Sequence, residues 1–67
     1  MDWHFVNGNC WVDSTQTYQI TIDAEGFFQV YHMDEQEAER IGSKKSTFAG
    51  AQLIAYIHSK KKEVADD

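Results

Sequence analysis

The segment from residue 18 to residue 30 constrains the fold of this chain more than any other. Apolar residues alternate with polar ones on both sides of a glycine, at Tyr18, Ile20, Ile22, Phe28 and Val30. A period of two predicts half-buried strands, and Gly26 suits the left-handed position of a three-residue hairpin loop. Pairing Ile22 with Phe28 puts the apolar side chains on one face. We therefore expect an antiparallel hairpin with strands at about 18–23 and 27–32.

A second hairpin is predicted upstream, with strands at about 3–6 and 10–13. Asn7-Gly8 is a strong two-residue turn signal, because a type I′ turn needs a positive φ at both central residues. Such a turn pairs Phe5 with Cys10 and His4 with Trp11. One face then carries Trp3, Phe5, Cys10 and Val12, and the other carries His4, Val6, Asn9 and Trp11.

A C-terminal helix is expected at about 47–62, with Ser46 as its N-cap. Its predicted buried stripe is Gly50, Leu53, Ile54, Ile57 and Lys61, flanked by Ala51 and His58. Residues 33–40 are expected to be an acidic loop or a short helical turn, and Ile41-Gly42-Ser43 a brief extended segment.

The predicted fold is a single α+β domain over residues 1–67. A four-stranded antiparallel meander packs on one C-terminal helix in two layers. The predicted core consists of Trp3, Phe5, Val12, Ile20, Ile22, Phe28, Val30, Leu53, Ile54 and Ile57.

Charge is segregated along the chain, whose net charge is -5. There is no Lys or Arg before Arg40, and no Asp or Glu from there to Lys62. Opposite charges either dock the C-terminal segment onto the rest or form a face for a charged partner. The acidic stretch Asp34, Glu35, Glu37 and Glu39 lacks the pattern of a calcium loop, so we expect a solvated segment or a contact for a basic partner.

Length and composition limit the function classes. A chain of 67 residues buries only about 60% of its unfolded surface, which excludes separate cofactor and substrate domains. No apolar run reaches the roughly 20 residues of a membrane span, and the N-terminus does not resemble a signal peptide. With one cysteine, Cys10, the expected compartment is a reducing cytoplasm.

Residue types that carry chemistry are not grouped in the sequence. His4, His32 and His58 lie on different predicted elements without the spacing of zinc ligands, and Cys10 is expected to face the core. We therefore expect no enzyme activity, no cofactor and no metal.

The sheet face away from the helix is the predicted binding surface. It carries His4, Trp11, Phe27 and Tyr31, and exposed rings on a small sheet are typical of protein partner sites or of a homodimer. Two alternatives stay open. Residues 33–45 would fold over this face, or the register would be wrong by one residue, which would exchange the two faces.

Nucleic-acid binding is the alternative function. Its candidate residues are Lys44, Lys45, Lys60, Lys61 and Lys62. They lie at opposite ends of the predicted helix, roughly 24 Å apart, so one continuous patch is not expected. Base stacking on the sheet is disfavoured because its predicted strands carry no cation to neutralise phosphates.

The chain resembles small uncharacterised proteins of bacteriophages and prophages. The residues that carry this resemblance are the tryptophan-bearing hairpin, Tyr18-x-Ile20-x-Ile22-Asp23, Phe28-x-Val30, Ile41-Gly42-Ser43 and Ala51-Gln52-Leu53-Ile54. It implies an accessory protein of the bacterial cytosol that binds a host or phage protein, with no catalytic residues to transfer.

A second resemblance covers Gly42 to about Ile57. Gly42-Ser43-Lys44-Lys45 before an alanine-bearing helix is similar to the C-terminal end of double-stranded-RNA-binding domains. It implies that Lys44 and Lys45 contact phosphates. The chain departs from that family because it lacks the N-terminal helix, and Phe48 stands where a basic residue is usual.

Overall fold

A computed structural model describes residues 2–35 and 37–65, with side chains up to Lys61. Its elements are β1 (Trp3–Asn7), β2 (Cys10–Asp13), β3 (Tyr18–Ile22), β4 (Phe28–Met33), β5 (Ala38–Lys45) and α1 (Phe48–Ala65). The strands form one antiparallel sheet in the order β1-β2-β3-β4-β5. The antiparallel α+β fold with one C-terminal helix is confirmed, although the sheet has five strands where four were predicted. No helix among the described residues has the length and apolar character of a membrane span.

The β3–β4 hairpin has the predicted register. Ile22 pairs with Phe28, Ile20 with Val30, and Tyr18 with His32. The Asp23 amide donates to the Phe27 carbonyl at 2.9 Å, and Gly26 has a φ of 90°. Gly26 therefore occupies the left-handed loop position that its lack of a side chain allows.

The β1–β2 hairpin differs from its prediction by one residue. Phe5 pairs with Trp11 and Asn7 with Cys10, with a bulge between Phe5 and Asn7. Neither Asn7 nor Gly8 has the positive φ of a type I′ turn. The Asn7 Oδ1 atom instead accepts the Asn9 amide at 3.1 Å, so the chain turns at Gly8-Asn9.

This shift moves the β2 side chains to the faces opposite to those predicted, whereas the β1 side chains keep their predicted faces. The Trp11 ring lies on the helix side, 5.0 Å from the Phe48 ring centroid and 6.0 Å from that of Phe28. The prediction that Trp11 faces away from the helix is wrong. Alternation places Cys10 and Val12 on the other face, contrary to prediction. There the Gln19 Nε2 atom donates to the Cys10 Sγ atom at 2.7 Å.

Residues 38–45 form the fifth strand, where a loop was predicted for residues 33–40. Ile41 pairs with Val30, and a bulge follows towards Lys45. Gly42 has a φ of 68°, and a Cβ atom there would lie 3.0 Å from Ile54 side-chain carbons. This segment extends the sheet and does not cover a face, so the register error is the alternative that applies.

The core lies between α1 and the centre of the sheet. Its buried side chains are Tyr18, Ile20, Val30, Ala51 and Ala55, and Trp3, Trp11, Phe28, Ile41, Phe48 and Ile54 pack against them. The predicted core members Phe5, Leu53 and Ile57 are instead 63%, 56% and 44% exposed.

The buried stripe of α1 therefore differs from the predicted one. The alanines at 51 and 55 are fully buried, and their small side chains let the helix lie close to the sheet. The N-cap is Thr47 and not Ser46, since the Thr47 Oγ1 atom accepts the Gly50 amide at 3.1 Å.

Candidate protein-interaction surface

The helix covers only part of the sheet. As an element, α1 packs on β3, β4 and β5. It contacts the first hairpin through the Phe48 ring, whose centroid lies 6.2 Å from the Trp3 ring centroid and 5.0 Å from the Trp11 ring centroid. The helix side of β1 therefore stays open to solvent beside α1.

A groove of about 300 Å³ runs between β1 and the helix. Its lining residues are Trp3, Ala49, Gln52, Leu53 and Tyr56. Leu53 is 56% exposed and Tyr56 is 50% exposed. The Lys60 Nζ atom lies 5.5 Å from the Tyr56 ring centroid, which places one cation at the rim. The groove walls are thus mostly apolar, with the Gln52 amide among them and one cation at the rim.

Exposed apolar side chains continue beyond the groove on both sides. Phe5 is 63% exposed beside Trp11, with ring centroids 5.6 Å apart, and Ile57 is 44% exposed on the helix. We call Trp3, Phe5, Leu53, Tyr56 and Ile57 the apolar surface. Exposed aromatic and large aliphatic side chains grouped around a groove are a candidate contact site for another protein.

The opposite sheet face, the predicted binding surface, is more polar than expected. Alternation along the strands keeps His4, Phe27 and Tyr31 on it, whereas Trp11 is on the helix side. The Tyr31 hydroxyl donates to the Gln29 Oε1 atom at 3.1 Å. Phe27 is 37% exposed, and its ring centroid lies 5.6 Å from the Lys44 Nζ atom. The four predicted residues do not form one surface.

A wider concavity of about 630 Å³ also opens on that side. His4, Val6, Val12 and Met33 line it together with polar residues that include Asp34. Its walls mix apolar and acidic groups. It lies on the far side of the sheet from the groove beside α1.

The predicted nucleic-acid-binding lysines form two groups. The Lys44 Nζ atom lies 3.7 Å from the Asp23 Oδ2 atom, and Lys45 pairs with Phe28 in the sheet. Lys60 and Lys61 lie on exposed turns of α1, about 18 Å along the helix from its start at 1.5 Å per residue. The side chain of Lys62 lies outside the described residues.

Two histidines meet a buried tyrosine between α1 and the sheet. The Tyr18 hydroxyl lies 2.8 Å from the His58 Nδ1 atom, and the His32 and His58 ring centroids are 4.9 Å apart. Burial raises the pKa of the Tyr18 phenol, and the Asp13 carboxylate raises it further. The predicted β3–β4 register places His32 opposite Tyr18, but the contact of His58 with both rings was not predicted. The helical spacing of Ala51, Ala55 and His58 was the available signal.

Two aspartates organise loops. The buried Asp13 carboxylate accepts the amides of Thr17 and Tyr18 at 2.9 Å each and the Thr15 hydroxyl at 2.6 Å. The pKa of Asp23 is lowered, first by the hydrogen bond from the Phe27 amide. In the part of the chain that the structure describes, no group of three His, Cys, Asp or Glu residues is arranged to hold a metal.

Sequence reasoning missed Leu53, Tyr56 and Ile57 as surface residues. The signal was an excess of apolar residues, more than one helix stripe can bury between Phe48 and Ile57. No family model matches the chain, and no curated protein or solved structure shows significant similarity to it.

Proposed function

We propose that this chain is a small, non-enzymatic protein-interaction module that binds through its apolar surface. The observation that carries the proposal is the exposure of Phe5, Leu53, Tyr56 and Ile57, each between 44% and 63%, on one side of a 67-residue domain. Aromatic and large aliphatic side chains supply most of the binding energy at protein interfaces. The resemblance to phage and prophage proteins supports an accessory role in which the chain binds a host or phage protein, a second copy of itself, or both.

The side of the sheet beside α1 replaces the opposite face in this proposal. On the opposite face, Tyr31 and Gln29 use their polar groups within the sheet, and Lys44 lies over Phe27. Beside α1, apolar side chains from two elements border one groove. An apolar side chain of a partner would lose water contacts against Trp3, Leu53 and Tyr56 there.

Nucleic-acid binding has weaker support. Lys44 is already near Asp23, and the described lysines lie in two separate groups. The strands before β5 carry no cation, and the net charge is -5.

A matched pair of helix variants tests the proposal. Leu53→Gln removes an apolar side chain from the groove, and Lys61→Gln changes an exposed residue of the same helix outside it. Both variants should keep the melting temperature close to wild type, since surface substitutions cost about 0.5 kcal/mol or less. Affinity capture from extracts of the source organism identifies the bound protein, which is then purified.

The measurement is the dissociation constant of each variant for that purified protein. Fully burying a leucine side chain contributes about 1.5–3 kcal/mol, and Leu53 is 56% exposed, so Leu53→Gln should weaken binding by about fivefold or more. Lys61→Gln should bind like wild type. Equal affinities for the two variants would contradict the proposed surface.

A further inference from the structure

The two edges of the sheet differ in how they are protected. The β5 edge carries Glu39, Arg40, Lys44 and Lys45 and a bulge, and both charges and bulges prevent edge strands from pairing with other chains. The β1 sequence, WHFVN, contains no Asp, Glu, Lys, Arg or Pro. Two of its side chains, Phe5 and Val6, are 63% and 57% exposed. The β1 edge is therefore open to strand pairing.

The outer backbone groups of β1 are available for such pairing. The Ser14 amide donates to the Asp2 carbonyl at 2.8 Å, and Trp3 lies opposite Asp13. In an antiparallel ladder, the backbone groups of successive residues point alternately to the two sides of the strand. The groups of Asp2 therefore point towards β2 and those of Trp3 and Phe5 point outwards, where the described part of the chain places no further strand.

We propose that β1 pairs with β1 of a second copy of this chain, antiparallel and about a two-fold axis at His4. The inference rests on the proposed function, for which it names the partner. The bulge between Phe5 and Asn7 leaves residues 3–5 as the regular part of the edge, and His4 is its centre. In this register the outward groups of Trp3 meet those of Phe5 in the other copy, and the reverse pair forms by symmetry.

The side chains fit this register. Each Trp3 lies directly across from a Phe5, and aromatic cross-strand pairs stabilise antiparallel sheets. The second copy's Phe5 stands beside the groove that Trp3, Leu53 and Tyr56 border. Residues 3–5 carry no carboxylate or lysine, so two chains of net charge -5 meet without like charges in direct opposition.

The area is of the right order for a dimer. At about 200 Å² for a fully exposed large side chain, the exposed fractions of Phe5, Leu53 and Tyr56 amount to about 700 Å² over two copies. The paired backbone and the flanking Trp3 and His4 add to this, towards the roughly 1,200 Å² at which stable interfaces begin.

The first test is sedimentation equilibrium of the unmodified chain, which should give twice the 7.7 kDa chain mass. The second is disulfide trapping of His4→Cys in a Cys10→Ser background. Residues on the axis form a non-hydrogen-bonded pair with Cα atoms about 4.5 Å apart, which a disulfide can bridge. Val6→Cys is the matched control, because Val6 is exposed on the same strand but lies about 13 Å from its own copy in this register.

In a glutathione redox buffer, His4→Cys should form the cross-linked dimer about tenfold faster than Val6→Cys. A wild-type chain that sediments at 7.7 kDa at its highest soluble concentration overturns self-pairing. Equal cross-linking rates, or faster cross-linking of Phe5→Cys, overturn the axis at His4. Self-pairing is also overturned if the chain is monomeric and binds a different protein. If Leu53→Gln abolishes that binding, the proposed function still stands. The two failures are thus distinguishable.

Discussion

Replacing Trp11 by alanine tests the face assignment of the first hairpin. The Trp11 ring contacts Phe5, Phe28 and Phe48, with centroid distances of 5.6, 6.0 and 5.0 Å. A buried Trp→Ala change costs 3–5 kcal/mol, and because Trp11 is only half-buried we expect about 3 kcal/mol. A domain of this size has about 3–10 kcal/mol of total stability, so the loss is a large fraction of it.

The assay is thermal unfolding followed by circular dichroism, at one fixed protein concentration. For a domain of 60–100 residues, 1 kcal/mol corresponds to about 4–8 °C, so Trp11→Ala should lower the melting temperature by roughly 12–24 °C. Val12→Ala is the control, because Val12 is half-buried on the opposite face. It should cost about 1 kcal/mol. If Val12→Ala were the more damaging change, the register with Phe5 opposite Trp11 would be refuted.

Three further outcomes are expected. Gly42→Ala should destabilise the fold by more than about 1 kcal/mol in urea titrations, because the φ of Gly42 is 68° and a Cβ atom would lie 3.0 Å from Ile54 carbons. Gly8→Ala is the control and should be nearly neutral, because the space around Gly8 is open. The raised pKa of Tyr18 contributes stability that is complete below about pH 10 and is lost as the pH rises through the folded-state pKa. The difference in unfolding free energy between wild type and Tyr18→Phe should therefore shrink above about pH 10. A difference that stays constant from about pH 7 to 11 argues against the raised pKa. Fluorescence anisotropy at about 150 mM salt should show no binding of duplex RNA or DNA, and micromolar binding that disappears on replacing the lysines of β5 would favour the nucleic-acid alternative.

The β3–β4 hairpin was predictable because several local signals agree there. The alternation of Ile20 and Ile22 with polar residues matches that of Phe28 and Val30, and Gly26 sets the loop length. In the first hairpin, Asn7-Gly8 indicated one turn, but the Asn7 side chain binds the Asn9 amide and stabilises another. A difference of one residue was enough to reverse the face assignments of β2, whereas Trp3 and His4 of β1 lie on the faces predicted for them.

The helix face and the fifth strand were missed for different reasons. Leu53 and Ile57 were predicted as core residues because their side chains are large and apolar. The helix instead lies close to the sheet, and the small side chains of Ala51 and Ala55 fit between them. The β5 sequence is largely polar, and its alternation is broken by a bulge near Gly42, so a period of two is not visible. Which surface stays exposed depends on both features, and for this reason the candidate site moved from one side of the sheet to the other.

The off-centre position of α1 divides the molecule into zones of unequal local stability. The amides of β3 and β4 lie under the helix, and their exchange with solvent deuterium should need opening of the whole core. The first hairpin is held by its ladder to β3 and by the contacts of the Phe48 ring with Trp3 and Trp11. We expect this hairpin to open at a lower free energy than global unfolding, so that its amides exchange faster than those of β3 and β4. If a second copy adds a strand at β1, it protects this labile hairpin, so that ordering of the hairpin and association become one coupled equilibrium.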